Sequence, residues 1–370
     1  MALFSPQQLA QYVFCPHDYE QLAKTHLAED LFAYLSGGSG QESSVTDNRQ
    51  VFKEIQLNSR LLNKVAQGNS KLTLLNQTLA APILLAPLAY QNLLDTQGEI
   101  ASAKAAKTSE IGSVLSTLSS QTLEDVAQFA PACKLFQLYL QADDTINLDL
   151  IKRAKQAGYQ AIMITLDTSV QSVSLKARRL GFELHSQVNA ANLRGYPPIQ
   201  SPESNNIFNG LMAQAPNWQS FGKWIAQSTL PIWVKGVMHP DDAIKLKEMG
   251  VTGIVVSNHG GRALDSSPSP LRVLPSIRQA VGKHFTLIVD GGIRDGYDLF
   301  KALAMGADAV MLGRLQAYSL AVGGAVGVAH MLKLVIEELH LCMALTGCKK
   351  LSDITAETLF NQPFQPQTSL

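Results

Sequence analysis

The 370-residue sequence has few charged side chains and no excess of either sign. Charged residues make up 16% of the chain, and 30 basic residues balance 30 acidic ones. Nucleic acids and anionic membranes attract proteins through basic excess, which displaces counterions. The balanced charge therefore argues against either of them as the main partner.

Cysteine is scarce as well. The four cysteines are Cys15, Cys133, Cys342 and Cys348, and none forms a C-x-x-C pair. Their spacing suits neither a zinc site nor a disulfide framework. We expect reduced thiols in a cytoplasmic protein.

Targeting and membrane signals are also missing from the sequence. The first residues, MALFSPQQLAQYVFCPHDYE, lack a basic region followed by an apolar one, so no secretory signal is expected. The strongly apolar stretch at 79–90 is interrupted by Pro82 and Pro87 and is too short to span a bilayer. No membrane association is expected, whereas an apolar content of 46% is enough for a sizeable core.

Short apolar runs recur along the chain, and each is followed by a helix-compatible stretch such as 100–110, 147–158, 240–250 or 296–307. Runs of this kind suit strands that are buried on both faces of a parallel sheet. The eight runs lie at 82–87, 113–117, 135–140, 161–167, 231–236, 253–258, 286–292 and 309–313.

Eight strand–helix alternations predict an α/β fold, the (β/α)₈ TIM barrel. A doubly wound open sheet is the alternative, but it usually has fewer strands, and its glycine-rich fingerprint after the first strand is missing here. We expect an N-terminal helical segment and cap at 1–80, the barrel at 81–355 and a tail at 356–370. The long connection at about 168–230, after the fourth strand, has the length of a functional lid.

Polar or backbone-exposing residues follow every predicted strand. The carboxyl ends of parallel barrel strands share one rim, where catalytic groups lie. A purely structural barrel does not need such a set, so we expect an active site on this rim. The rim residues are Pro87, Leu88, Ala89, Ser116, Gln137, Tyr139, Thr165, Asp167, Lys235, Ser257, Asn258, His259, Arg262, Asp290, Gly291, Gly292, Arg294, Gly313 and Arg314.

Two parts of this rim invite a chemical interpretation. The glycine-rich ends of strands 7 and 8, with Arg294 and Arg314, fit a phosphate site. Tight turns and surface ion pairs are the alternative. Lys235 follows an apolar run, where it would need an anionic partner, and it could form a Schiff base or stabilise charge on a cofactor. A simple strand-end lysine is also consistent with its position.

The motifs resemble those of the FMN-dependent α-hydroxy-acid oxidase and dehydrogenase family from about residue 19 to residue 355. The most specific is SNHGGRALD (257–265), which departs from the family pattern SNHG[AG]RQLD only at Ala263. The other matching blocks are YLSGGSG (34–40), DNRQVF (47–52), LFQLY (135–139), LPIWVKGV (230–237), DGGIRDG (290–296) and FKALAMGADAVMLGR (300–314).

The resemblance implies that FMN is the cofactor. Asp290, Gly291, Gly292, Arg294, Gly313 and Arg314 would form its phosphate site. The isoalloxazine ring would lie against Pro87, Leu88, Ala89, Ser116, Gln137, Thr165 and Ser257. Lys235 would lie by N1 and the C2 carbonyl, where negative charge gathers on reduction.

The resemblance also implies roles on the substrate side. His259 would be the base, acting either on the α-hydroxyl or on the α-carbon of a small L-2-hydroxy acid. Asp167 would orient the His259 ring, and Arg262 would hold the substrate carboxylate. Tyr34 and Tyr139 would donate their hydroxyls. A tetramer or octamer of barrels is implied as well.

Two departures bear on the substrate. The family has a second arginine seven residues after the aspartate of strand 4, but this position is Ser174, preceded by Val173. Losing such a contact would weaken binding roughly 10- to 100-fold, unless Arg178 or Arg179 takes its place. Leu118 stands where glycolate oxidase has tryptophan, which predicts an apolar, roomier wall that Tyr90 could narrow.

Three functions remain open from the sequence. The first is oxidation of an L-2-hydroxy acid such as lactate or glycolate, with O₂ as acceptor or with a quinone or protein instead. The second is a flavin-binding protein of low turnover, favoured only by Ser174. The third is an isomerase that uses reduced flavin.

Overall fold

The computed structural model describes residues 3–170, 172–184, 188–197 and 207–360. Eight parallel strands close into a barrel, and each overlaps one of the eight predicted runs, so the predicted barrel is confirmed. The strands are β3 (Ile83–Leu85), β4 (Gly112–Ser116), β5 (Lys134–Leu138), β6 (Ala161–Thr165), β7 (Ile232–Val237), β8 (Gly253–Val256), β9 (Thr286–Val289) and β10 (Ala309–Leu312).

Helices follow the barrel strands, as the sequence pattern predicts. Most of them begin with a side-chain cap; Asp143, for example, accepts a hydrogen bond from the Thr145 amide at the start of α7. The barrel helices are α5 (Gly98–Thr108), α6 (Leu123–Ala127), α7 (Asp144–Gln156), α8 (Leu175–Arg179), α9 (Trp218–Gln227), α10 (Pro240–Glu248), α11 (Pro270–Val281), α12 (Gly296–Ala304) and α13 (Arg314–Thr346).

The segment before the barrel is helical at first and then forms a hairpin. Its helices are α1 (Pro6–Tyr12), α2 (Asp18–His26), α3 (Glu29–Ser36) and α4 (Ser43–Glu54). The antiparallel pair β1 (Leu72–Leu74) and β2 (Gln77–Leu79) follows, which the sequence did not suggest. Leu74 and Leu79 pack with the buried residues inside the barrel, so the hairpin adds to the interior core.

Side chains inside the barrel change from apolar to polar along each strand. Because successive strand residues point to opposite faces, every second residue enters the interior. Trp233 belongs to the apolar interior cluster, and Lys235 follows two positions later; Met163 and Thr165 are related in the same way. The apolar base and polar rim of the barrel thus follow directly from the period of two.

The connection between β6 and β7 contains no strand in the part that the structure describes. It includes α8, a short 3₁₀ turn (Ala191–Leu193), further helical turns (Ile207–Leu211 and Met212–Gln214) and α9. The predicted lid at 168–230 therefore contains helical turns in its described residues, and its function as a lid stays a prediction.

The last helix, α13, is longer than the apolar stretch at 79–90. By length and composition it is the one described helix that could cross a membrane, but 61% of its most apolar window is buried inside the protein. Gly323 and Gly324 depart from helical geometry and divide it by a kink. Buried residues such as Tyr318, Met331 and Val335 pack into the main core, as expected for a helix of the barrel's outer layer.

Candidate active site

The turn after β8 carries the histidine of the SNHGGRALD motif. His259 has a left-handed backbone with a φ of 57°, and Gly260 and Gly261 continue it at 63° and 78°. A left-handed backbone at a residue other than glycine is uncommon and clusters at functional sites. Hydrogen bonds hold this one: the His259 amide donates to Ser257 Oγ at 3.0 Å, and the Gly261 amide donates to Asn258 Oδ1 at 3.0 Å.

A buried amide pair fixes this turn from outside the barrel. The side chains of Asn48 and Asn258 exchange two hydrogen bonds, each of 2.9 Å. Asn48 is on α4, within the DNRQVF block, and it was not among the predicted site residues. The matching block was the available signal, but the sequence alone does not show which residue Asn48 contacts.

Four predicted residues from four strands meet at the centre of the rim. The Nδ1 atom of His259 lies 2.8 Å from Asp167 Oδ1, and the Nε2 atom lies 3.5 Å from the Tyr139 hydroxyl. The Lys235 ammonium lies 3.5 Å from His259 Nδ1 and 3.8 Å from Asp167 Oδ2. Asp290, expected near a phosphate, points its carboxylate toward Lys235, at 3.7 Å from Nζ.

The electrostatics favour a neutral imidazole over a fixed ion pair. Burial and the Lys235 ammonium lower the pKa of His259, against the opposing effect of Asp167. Burial would raise the pKa of Asp167, but Lys235 and His259 outweigh it and the net shift is downward. Burial likewise works against the Lys235 ammonium, yet Asp167 and Asp290 raise its pKa overall. At neutral pH the site therefore contains a free base beside a stable charge pair.

A glycine makes room for Asp167. Gly236 has a φ of +103°, and a Cβ on it would lie 2.5 Å from the Asp167 Cβ. The pairing of β7 and β8 also shifts register between Lys235 and Val237. The missing side chain of Gly236 therefore lets the β7 backbone pass close to Asp167 at the barrel rim.

Arg262 and Tyr34 lie together on the outer side of the histidine. Arg262 Nη1 donates to the carbonyl oxygens of Tyr34 at 2.7 Å and Gly37 at 3.0 Å, and its guanidinium lies 5.1 Å from the centre of the Tyr34 ring. Phe182 stacks on Tyr34 with ring centres 4.3 Å apart and an interplanar angle of 12°. The residues after β6 therefore cover the tyrosine expected to bind the substrate.

Ser174 has a local structural role. Its Oγ accepts a hydrogen bond from the Ala177 amide and caps the amino end of α8. It lines a cavity of about 430 Å³ that Tyr34, Arg178 and Arg262 also line. Of the two arginines that could replace the missing one, Arg178 lines this cavity and Arg179 does not.

Leu118 and Tyr90 form neighbouring parts of the rim. The Tyr90 amide donates to the Leu118 carbonyl at 3.0 Å, and Tyr90 has a left-handed φ of 54°. Burial, and then the neighbouring Tyr34, raise the pKa of Tyr90. The narrowing of the site by Tyr90 stays a prediction.

Buried polar atoms without protein partners indicate that the floor of the site can bind a polar ligand. Among the described residues, Gln137 Nε2, Thr165 Oγ1 and Asp290 Oδ1 are buried and have no hydrogen-bond partner. Ser116 Oγ donates to Gln137 Oε1 at 3.1 Å, which leaves the amide NH₂ of Gln137 free. Such atoms are rarely left unpaired in native proteins. They fit the polar edge of a flavin ring, which carries both donors and acceptors.

Arg294 and Arg314 lie on the same rim and have few acidic partners. Arg294 Nε donates to Glu20 Oε2 at 3.3 Å. Within the described residues, the hydrogen bonds of the Arg314 side chain all go to backbone carbonyls, those of Leu35, Gly37 and Gly260. Burial, and then the nearby Arg294, lower the pKa of Arg314 to about 10. A partly buried guanidinium with so little countercharge favours a bound anion. The site thus fits the FMN phosphate as well as the ring. Glu20, on α2, was not predicted.

The remaining predicted flavin contacts are at suitable places on the rim. Pro87, Leu88 and Ala89 follow β3 and are partly exposed, Ser257 is buried after β8, and Gly313 directly precedes α13. Gly291 and Gly292 follow β9 with left-handed backbones. These residues follow the carboxyl ends of their strands, as predicted, and the individual flavin contacts stay predictions.

Comparison with known proteins identifies the family. The sequence profile of the FMN-dependent dehydrogenase family matches residues 23–361. An L-lactate oxidase from Alicycliphilus denitrificans is 48% identical over 92% of this chain and 95% of its own length. Human 2-hydroxyacid oxidase 1 is 35% identical over 95% of this chain and 97% of its own.

A solved structure agrees in fold. A crystal structure of mandelate oxidase with benzoyl-formic acid superposes with a TM-score of 0.85, at 34% identity, covering 94% of this chain and 98% of that chain. The predicted family, barrel and cofactor are thereby confirmed. The chain belongs to the FMN-dependent dehydrogenase family and uses FMN as its cofactor.

Proposed function

We propose that this protein oxidises small L-2-hydroxy acids, L-lactate foremost, to 2-oxo acids, and that O₂ reoxidises the flavin and is reduced to H₂O₂. The observation that carries the proposal is the free Nε2 of His259, whose Nδ1 is held by Asp167 at 2.8 Å. L-lactate oxidases from three organisms, at 48%, 42% and 40% identity, support the choice of lactate.

FMN, when bound, accepts the two electrons that leave the α-carbon of the substrate. His259 takes the accompanying proton at Nε2, because Asp167 accepts the hydrogen on Nδ1 and keeps the lone pair of Nε2 directed away. The Tyr139 hydroxyl, 3.5 Å from Nε2, lies beside the proton's path and can bind the substrate oxygen. Hydride transfer and carbanion formation both fit this arrangement.

Lys235 supplies positive charge where negative charge develops as electrons arrive. Lys235 is 4% exposed, and its ammonium lies between the carboxylates of Asp167 and Asp290. A charge fixed before the reaction starts stabilises the transition state without reorganisation. The same ammonium lowers the pKa of His259, which keeps the base unprotonated at neutral pH.

Arg262 binds the substrate carboxylate. Its Nη1 donates to two backbone carbonyls, which aim the guanidinium, while Nε and Nη2 have no acceptor among the described residues. Those two nitrogens form the fork that a carboxylate accepts in a bidentate manner. Leu118 supplies an apolar wall for the methyl group, and Tyr90 limits the space for longer chains.

Anaerobic flavin reduction tests the proposal. FMN-loaded protein is mixed with L-lactate, glycolate, L-mandelate or D-lactate, and the visible flavin band is followed. We expect fast bleaching by L-lactate, slower bleaching by the other L-acids and glycolate, and none by D-lactate. His259→Gln should bleach at least about 100-fold more slowly with L-lactate.

Two outcomes would overturn parts of the proposal. If the protein binds FMN but no 2-hydroxy acid bleaches it, the protein is either a flavin-binding protein of low turnover or an enzyme of another reaction. The first of these is the function that Ser174 favours. Reduced flavin that persists when air is admitted, with no H₂O₂ formed, would mean that a quinone or a protein is the acceptor.

Assembly and compartment complete the proposal. A cytoplasmic homo-oligomer, a tetramer or octamer, is supported by the family resemblance and by the exposed apolar side chains of Leu61 and Leu62, at 87% and 101% of full exposure. The balanced charge of the chain supports the absence of nucleic-acid and membrane partners. Light scattering of the holoprotein measures its mass and tests the assembly directly.

A further inference from the structure

A buried glutamate connects the two loops that form the substrate wall. Glu99 is on α5 and is only 2% exposed. Its Oε1 atom accepts hydrogen bonds from the backbone amides of Gln91 and Ser120, both at 3.0 Å. Gln91 directly follows Tyr90, and Ser120 lies two residues after Leu118. One carboxylate oxygen therefore joins the loop after β3 to the loop after β4.

Further bonds make this junction rigid. The Tyr90 amide donates to the Leu118 carbonyl at 3.0 Å, and the Asn92 amide donates to Ser120 Oγ at 3.2 Å. The two loops thus contact each other directly, and Glu99 adds a second link because its Oε1 atom accepts from one amide of each loop. Because Tyr90 has a left-handed φ of 54°, its conformation depends on such surrounding contacts.

The setting of Glu99 is unusual for a carboxylate with only a structural role. Its second oxygen, Oε2, is buried and has no hydrogen-bond partner among the described residues. No basic side chain pairs with it in the described chain, and its Oε1 atom accepts from the two backbone amides. Its place in the first turn of α5 lets the positive end of the helix dipole offset the charge.

We propose that Glu99 is a positioning residue that sets the distance between Tyr90 and Leu118, and with it the length of substrate side chain that the site accepts. This rests on the proposed oxidation of L-2-hydroxy acids. Glu99 itself touches no substrate and acts only through the two loops. Loss of its Oε1 acceptor frees both amides and leaves the loops held only by their direct bonds, Tyr90 to Leu118 and Asn92 to Ser120, so the wall loosens and longer side chains are admitted.

The test compares Glu99→Ala, Glu99→Gln and the matched control Ser102→Ala. Gln keeps an oxygen that can accept from both amides. Ser102 is a buried residue of the same helix that donates to the Gln91 side chain at 2.6 Å but contacts neither loop amide. The readout is the ratio of kcat/KM for L-lactate to kcat/KM for L-2-hydroxyisocaproate, measured on protein with full FMN content.

We expect the ratio to fall about 10-fold in Glu99→Ala, which corresponds to the loss of one contact. In Glu99→Gln and Ser102→Ala the ratio should stay within about threefold of the wild-type value. If Glu99→Ala does not yield folded holoprotein, Glu99→Asp, which withdraws the oxygen by one methylene, should lower the ratio in the same direction. An unchanged ratio in whichever variant folds would overturn the inference. An equal fall in Ser102→Ala would also do so, because it would indicate general packing of α5.

A second readout separates this inference from the proposed function. Binding of pyruvate and of 4-methyl-2-oxopentanoate perturbs the flavin spectrum and requires no turnover. If the wild type oxidises neither hydroxy acid, the proposed function fails, yet the ratio of the two dissociation constants should still shift about 10-fold in Glu99→Ala. If that ratio also stays constant, the positioning role fails by itself.

Discussion

The Nδ1 atom of His259 lies 2.8 Å from Oδ1 of Asp167, although the two residues follow strands that are separated in the barrel by β7. An ionised carboxylate can only accept a hydrogen bond, so Nδ1 must carry the hydrogen. The ring is thereby fixed in one tautomer, with the lone pair on Nε2 facing Tyr139.

The first prediction concerns this contact. Asp167→Asn removes the charge and allows the ring to adopt either tautomer, so kcat for L-lactate should fall about 100-fold or more. Oxygen uptake measures the rate, and the flavin absorbance confirms equal cofactor content. A fall of less than threefold in fully loaded protein would show that Asp167 does not orient the base.

The second prediction concerns pH. Burial and Lys235 lower the pKa of His259, so the reactive neutral form persists below the ordinary value of about 6.5. The kcat/KM for L-lactate should be constant at neutral pH and fall only below that value. Asp290 is among the groups that raise the pKa of His259, so Asp290→Asn should move the acid limb to still lower pH. A limb above 6.5, or one that moves upward, would contradict this assignment.

The third prediction separates a steric effect from backbone strain. Gly236→Ala places a Cβ 2.5 Å from the Asp167 Cβ, whereas Gly250→Ala, at a φ of +87°, meets nothing within 4 Å. Both variants should lose about 1–3 kcal/mol of unfolding free energy from left-handed strain. Only Gly236→Ala should also lose about 10-fold or more in kcat. Denaturant unfolding and steady-state kinetics together distinguish these effects, and equal kcat values would rule out the steric role.

The fourth prediction concerns cofactor affinity. Arg314→Met removes a partly buried guanidinium whose hydrogen bonds in the described chain all go to backbone carbonyls, so FMN should bind roughly 10- to 100-fold more weakly. Ultrafiltration and the fluorescence of released flavin give the dissociation constant. Arg153→Met, on the distant pair with Glu124, is the control and should bind FMN normally. Unchanged affinity in Arg314→Met would place the phosphate elsewhere.

The fifth prediction concerns Ser174. Because its Oγ caps α8, Ser174→Ala should lower the free energy of unfolding, or of local opening of this helix, by about 1 kcal/mol. The KM for L-lactate should stay within about threefold of the wild type. Hydrogen exchange of the Ala177 amide reports the cap. A 10-fold rise in KM would instead mean that Ser174 binds the substrate.

The barrel could be predicted because its strands are apolar runs at regular intervals. Every second residue of those runs enters the interior, so the sequence also indicated where the polar rim begins, as at Lys235. The β1–β2 hairpin was not foreseen because its turn gives a weak signal. Leu75 and Asn76 form the turn with φ values of 49° and 60°, and leucine rarely adopts such a backbone.

The candidate site was predictable in its residue types and less so in its pairings. His259 and Asp167 were expected to meet, and they do. The second carboxylate of Lys235, from Asp290, and the partner of Arg294, from Glu20, were not expected. These contacts join residues that are distant in sequence, and nothing in the local pattern specifies which acid reaches which base.

The closure of the barrel also determines when the protein can fold during synthesis. β3 pairs with β10, with Ile83 opposite Val310 and Leu85 opposite Leu312. The apolar edge of β3 therefore stays unpaired until β10 has left the ribosome. Unpaired edges of this kind attract other chains, and parallel pairing over long separations is slow. Chains that stop before residue 309 would expose this edge permanently, so aggregation rather than a smaller stable fragment is their expected fate.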